Sequence, residues 1–188
     1  MSSPTAEEVN QMSQLLSGLT QPNTETIRHA EAALKPILKN PQAIAALLEI
    51  LKQRDAHPPA VRHVAAILLR KRIGSHYSKT FDPATQTTFR TELLQILSSE
   101  PTRSVRGGVV GVTAVVVKLS FEQPAESTAQ KEWPELWQFI AAASSDVNEE
   151  ARELAFWLLQ DMTDTIGIHL KPQFPNMAQS LFPNALQD

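Results

Sequence analysis

A chain of 188 residues that is 42% hydrophobic and 20% charged can bury a substantial core, which excludes a disordered tail or a collagen-like fibre. It has no cysteine, so disulfide frameworks, thiolate zinc sites and thiol nucleophiles are excluded, and its six glycines and one tyrosine lack the turn-rich alternation of a sandwich or barrel. The formal net charge of −3 hides a split: Lys52 to Lys79 holds seven basic residues against Asp55, about +6, while the remainder carries about −9. That balance suits an anionic protein surface better than general nucleic-acid binding.

The opening MSSPTAEEVNQ lacks the basic and apolar regions of a secretory signal. No apolar run approaches the roughly 20 residues that span a bilayer, so a soluble intracellular chain without membrane insertion is expected. Along the chain two helical patterns alternate. In a first unit, residues 5–39, Leu15, Leu16 and Leu19 mark the apolar face of one helix. Ile27-Arg28 with Ala30 and Leu34 marks a second, capped by Asn23 or Thr24.

The second unit, residues 40–76, repeats the order with Leu47, Leu48 and Leu51, then Val61-Arg62, Val64 and Leu68. In the third, residues 82–119, Leu93, Leu94 and Leu97 precede Val105-Arg106, Gly108 and Val112. The fourth, residues 133–166, has Leu136, Trp137 and Ile140, then Ala151-Arg152, Leu154 and Leu158. A fifth begins in residues 171–188, with Leu181 and Phe182 in register and no second helix to follow. No polar capping helix is legible there, so the sequence reads as the first part of a longer array.

Pro41, Pro83 and Pro134 fall where first helical turns are expected, because a missing N–H costs nothing there. Asn40, Asp82, Thr102 and Asp146 are candidate N-caps. The polar stretch 120–132 is the longest expected loop. Units starting 32 to 46 residues apart, each a helix pair, predict an all-α, right-handed HEAT-repeat solenoid of four to four and a half repeats.

Arg28, Arg62, Arg106 and Arg152 recur at one place in each second helix, and a structural ladder is the stronger reading because buried charges need partners. Asp55 before Arg62 and Asp146 before Arg152 are suitably placed acids. RGGVVG, with Gly107, Gly108 and Gly111, lacks the lysine and strand of a phosphate loop. Within a helix these glycines cost on the order of 3 kcal/mol against alanine, so a close helix approach is the expected compensation. Val115 to Val117 pull toward a strand, but a helix is preferred. The five histidines form no metal-binding spacing, no serine sits in a nucleophile elbow, and no cofactor motif is present, so no catalytic, metal or cofactor residue is assigned. Trp133, Trp137 and Trp157 suit core packing between layers.

Ala30-Glu31-Ala32-Ala33-Leu34 and VRHVAAILLRKRIGSHY, Val61 to Tyr77, resemble the N-terminal module of the importin-beta family of nuclear transport receptors, here over residues 30–97. Arg62, Ala65, Ala66, Leu69 and Ile73 match the family pattern; Arg70 replaces its lysine, Lys71 its asparagine, and Tyr77 takes the aromatic place. Arg70 to Arg72 and Trp133-Pro134-Glu135-Leu136 look most like the importin-four type. The resemblance implies no enzyme but a receptor that shuttles between cytoplasm and nucleus. It would bind Ran-GTP and FG-repeat nucleoporins and carry basic cargo such as ribosomal proteins or histones, the cargo mainly through repeats beyond this chain. Ran-GTP is expected on the concave second helices at His29, His63, Arg70 and Lys71. A HEAT scaffold of an enzyme or trafficking complex is the other reading the periodicity allows.

Overall fold

A computed structural model describes residues 3–122 and 133–169. Nine helices and no strand occur among them: α1 (Ala6–Leu19), α2 (Thr24–Ile37), α3 (Gln42–Lys52), α4 (Pro59–Thr80), α5 (Pro83–Ser99), α6 (Arg103–Phe121), α7 (Pro134–Ser144), α8 (Glu149–Asp161) and α9 (Thr163–His169). The chain divides into two compact units, Met1–Val112 and Thr113–Asp188, with the division inside α6. In the first, α1 packs on α2, α3 on α4, and α1 also on α3 and α4; in the second, α8 packs on α7 and α9. The fold is an all-α helical-repeat solenoid. Residues 123–132, most of the expected loop, and 171–188, the expected fifth repeat, lie outside the described residues.

Helix starts follow local chemistry. Thr5 and Glu8 close a capping box at α1, Asn23 accepts from Thr26 N at α2, and Asp82 accepts from Thr85 N at α5. Pro59, Pro83 and Pro134 each occupy the first position of a helix, where no backbone donor is lost. Two expected caps move. Pro41 is the residue before α3, while Asn40 accepts from Gln42 N; at α8 the cap is Asn148, and Asp146 accepts from Asn148 N instead.

Leu16, Leu47, Leu48, Leu51, Leu93, Leu97, Leu136 and Ile140 are buried, so the first-helix stripes face the core as their spacing indicates. The second-helix stripes are less regular. In α4 the buried positions are Val61, Arg62, Ala65, Ala66, Leu69, Ile73 and Tyr77, while Val64 and Leu68 are half-buried. The RGGVVG segment and the three valines after it are helical throughout α6. By length and composition α6 is apolar enough to cross a membrane, which the residue run did not suggest. Its Val105, Val109, Val112 and Val116 are fully buried within the protein, the pattern of a core helix.

Candidate partner-binding site

The register of the second helices decides which charges are available. The backbone bond that spans four residues to the one before the helix comes from Arg62, Arg106 and Arg152, but in α2 it comes from Ile27. Against α4 burial agrees, Ala30, Leu34 and Leu38 corresponding to Ala65, Leu69 and Ile73, whereas in α8 the buried Leu154, Leu158 and Met162 stand to Arg152 as Ala30, Leu34 and Leu38 stand to Arg28. Ile27 therefore stands where Arg62 stands, and Arg28 falls one residue, about 100° of helix, further round. Arg28 is exposed and makes no hydrogen bond or ion pair with described residues. His29, expected to match His63, instead matches Val64, and Arg28 is the true counterpart of His63.

Arg62 and Arg106 are buried, and Arg152 is half-buried. Arg62 does not use Asp55, whose carboxylate lies 3.8 Å from Arg54 Nε. Its Nε donates to the His57 carbonyl at 3.1 Å, and its Nη1 pairs with the carboxylate of Glu100 at the end of α5. The other Glu100 oxygen accepts from Thr102 N at 2.8 Å, at the entry to α6. Arg152 donates to the backbone carbonyls of Asp146 and Val147, so Asp146 serves through its main chain.

His57 was passed over in the sequence and turns out to sit in this network. It is buried, with Nδ1 2.9 Å from Ser13 Oγ of α1 and Nε2 without a hydrogen-bond partner. Burial, and then the charge of Arg62, hold its pKa below the usual histidine range. No sequence signal marks such a residue, since the contact with Ser13 spans 44 positions.

The seven basic residues of the 52–79 segment separate into two groups. Lys52 bridges Glu49 at 3.0 Å and Glu92 of α5 at 2.7 Å; burial pulls its pKa down, but bonds to the two carboxylates outweigh this and leave it raised. Arg54 donates to the Ser99 carbonyl, and Arg62 holds Glu100. Arg70, Lys71, Arg72 and Lys79, all on the latter half of α4, form no ion pair with described residues. Arg70, Lys71 and Lys79 are exposed and Arg72 is half-buried.

His63 and Arg70 lie on the side of α4 that meets α6. His63 Nδ1 donates to the Ser104 carbonyl at 2.8 Å. Ala66 faces Gly108 so closely that a Cβ there would sit 2.7 Å from the Ala66 Cβ, and one at Gly111 would sit 3.0 Å from Arg70 Cδ. Gly108 thus permits the close helix approach anticipated for the glycines, while Gly111 lies against the Arg70 side chain. Arg70 and Lys71 point in directions about 100° apart, so Arg70 borders the seam while Lys71 is on the open side with Ile67, 37% exposed.

On the first helices, α1, α3 and α5 border a groove of about 620 Å³ lined by Pro4, Val9, Leu48, Lys52, Phe89 and Glu92, among others. Its lining mixes apolar with polar and charged side chains, the Lys52–Glu92 pair among them. Beside it, Tyr77, Phe81 and Phe89 pack with ring centroids 5.6 to 6.3 Å apart, and Arg90 Nε donates to the Tyr77 hydroxyl at 2.8 Å. No group of three or more His, Cys, Asp or Glu side chains suited to a metal ion occurs among the described residues.

The described residues thus form stacked helix pairs, with cations on one second helix that no described residue pairs and a groove of mixed polarity between first helices. Residues 30–99 match the importin-beta N-terminal domain. "Probable importin subunit beta-4" of Schizosaccharomyces pombe is 31% identical over 162 residues, covering 86% of this chain and 14% of that protein. "Probable importin-5 homolog" of Dictyostelium discoideum is 29% identical over 171 residues, covering 87% and 15%, and "Importin-4" of Mus musculus is 25% identical over 148 residues, covering 79% and 13%. Over most of its length the chain is similar to proteins of the importin-beta family, and residues 30–99 carry that family's N-terminal domain.

Solved structures agree on the fold. Kap121p bound to RanGTP matches with a TM-score of 0.70 at 22% identity, over 96% of this chain and 16% of that chain. Kap121p bound to Nup53p matches at 0.69 and 21%, over 96% and 17%. The chain spans only about a seventh of the length of the curated relatives it matches.

Proposed function

We propose that this chain is the Ran-GTP-binding N-terminal region of a nuclear import receptor that moves between cytoplasm and nucleus. The observation that carries it is the set of unpaired cations on α4, Arg70 and Lys71 foremost, within the family's own N-terminal domain. Attractive charges left without internal partners steer and hold an acidic surface. His63 contributes through its ring edge at the seam. In the first repeat, Arg28 replaces His29 as the residue placed to extend this face, because of the register of α2.

The groove between α1, α3 and α5 suits the phenylalanine side chains of FG-repeat nucleoporins, which need an apolar slot with a polar rim. Among the structural neighbours, one Kap121p complex contains RanGTP and another Nup53p, which supports both partner classes. Basic cargo, ribosomal proteins or histones, falls to repeats beyond this chain, since the cations described here would repel it. The test is calorimetric titration of the chain with Ran loaded with a non-hydrolysable GTP analogue and with GDP. Binding confined to the GTP form is expected; equal affinity for both, or none, rejects the reading in favour of a scaffold.

A further inference from the structure

We infer that Gly111 is a positioning residue for Arg70: it leaves the floor on which the Arg70 guanidinium is held in place to meet a carboxylate of an acidic protein partner. The inference rests on the reading of α4 as the Ran-GTP face.

Gly111 lies inside α6, and no described residue has a positive φ, so its backbone does not require glycine. Alanine is the better helix former there. The three atoms nearest a Cβ there all belong to Arg70: Cδ and Nη1 at 3.0 Å and Cζ at 3.2 Å. Gly108, three residues earlier, differs, because its would-be Cβ strikes the Ala66 Cβ at 2.7 Å and that atom cannot swing aside. Gly108 serves helix packing, whereas the atoms nearest a Cβ at Gly111 belong to the end of a flexible, charged side chain.

Gly111 is buried while Arg70 is exposed, so the side chain lies over the glycine with its outer side toward solvent. Arg70 has no hydrogen bond or ion pair with described residues. No acidic residue lies between Asp55 and Asp82 on its own helix, and none occurs in α6. A guanidinium restrained on one face and unpaired on the other loses less side-chain freedom when it meets a carboxylate in the two-pronged geometry arginine favours.

The experiment is a double-mutant cycle on the whole chain, reading affinity for GTP-loaded Ran and the urea midpoint of each variant. Gly111→Ala is expected to keep or raise the midpoint while weakening binding about fivefold, the loss of one well-placed charged contact. Arg70→Ala should weaken binding by at least as much, and adding Gly111→Ala to it should change affinity no further. Unaltered affinity in Gly111→Ala overturns the inference, as does an equal loss in the Arg70→Ala background. If Arg70→Ala weakens binding and Gly111→Ala does not, Gly111 loses its role and the α4 site stands. A chain that binds no GTP-loaded Ran removes both.

Discussion

Among single residues, the Arg62–Glu100 pair is the most exacting, because each group is nearly dry and would be left as an isolated charge without the other. Truncating either, Arg62→Ala or Glu100→Ala, should lower unfolding free energy in urea by about 3–5 kcal/mol. The double variant should cost much less than the sum, since no orphaned charge remains; strict additivity would show that the pair is not coupled. His57 gives a pH signature. Its folded pKa lies below its unfolded value near 6.5, so the unfolded chain takes up the proton first and stability falls as pH drops through that value toward the folded pKa. Above it the contribution is fully present. The ring faces Ser13 and the Arg62 cation, which is itself paired with the Glu100 carboxylate. Comparing urea midpoints at pH 7.5 and 5.5, wild type should lose more than His57→Asn; equal losses would assign the acid sensitivity to the carboxylates.

At the scale of elements, the seam between α4 and α6 depends on two residues without bulk, Ala66 and Gly108. Gly108→Ala should destabilise by about 1–3 kcal/mol, because the helices must part to admit the methyl group. Ala66→Gly in the same chain should restore part of that, and thermal melts of the three variants would show it. A neutral Gly108→Ala would mean the seam has slack. At the start of α2, Asn23→Ala removes the acceptor for Thr26 N and should cost about 1 kcal/mol.

These elements also show what could be read in advance. Pairs of leucines three residues from a third, with proline at the first turn, marked the first helices well because burial on one face leaves that spacing in the chain. The second helices were harder. Matching an apolar residue followed by arginine set α2 one position out of phase, since Ile27-Arg28 mimics Val61-Arg62 while its buried positions follow a different phase. Glu100 was missed as the partner of Arg62 because 38 residues separate them, and nearby Asp55 looked the better acid. Proximity in sequence says little about a contact made between consecutive repeats.

For the whole molecule, a solenoid couples neighbouring repeats through contacts of this kind. Ser13, His57, Arg62, Glu100 and Thr102 form such a chain from α1 to the entry of α6. The charge asymmetry legible in the composition was real but overstated. Lys52 and Arg62 pair with carboxylates and Arg54 is tied to a carbonyl, so the cations of this segment without a partner among the described residues are those on the latter half of α4. The most direct measurement is the affinity of GTP-loaded Ran for the chain bearing Arg70→Glu with Lys71→Glu, set against Lys79→Glu and measured at two salt concentrations. We expect the double reversal to weaken binding at least about tenfold, and to flatten its salt dependence, because attractive pairs are lost, with the control much closer to wild type. Wild-type affinity in the double variant would contradict the placement of the partner surface on α4.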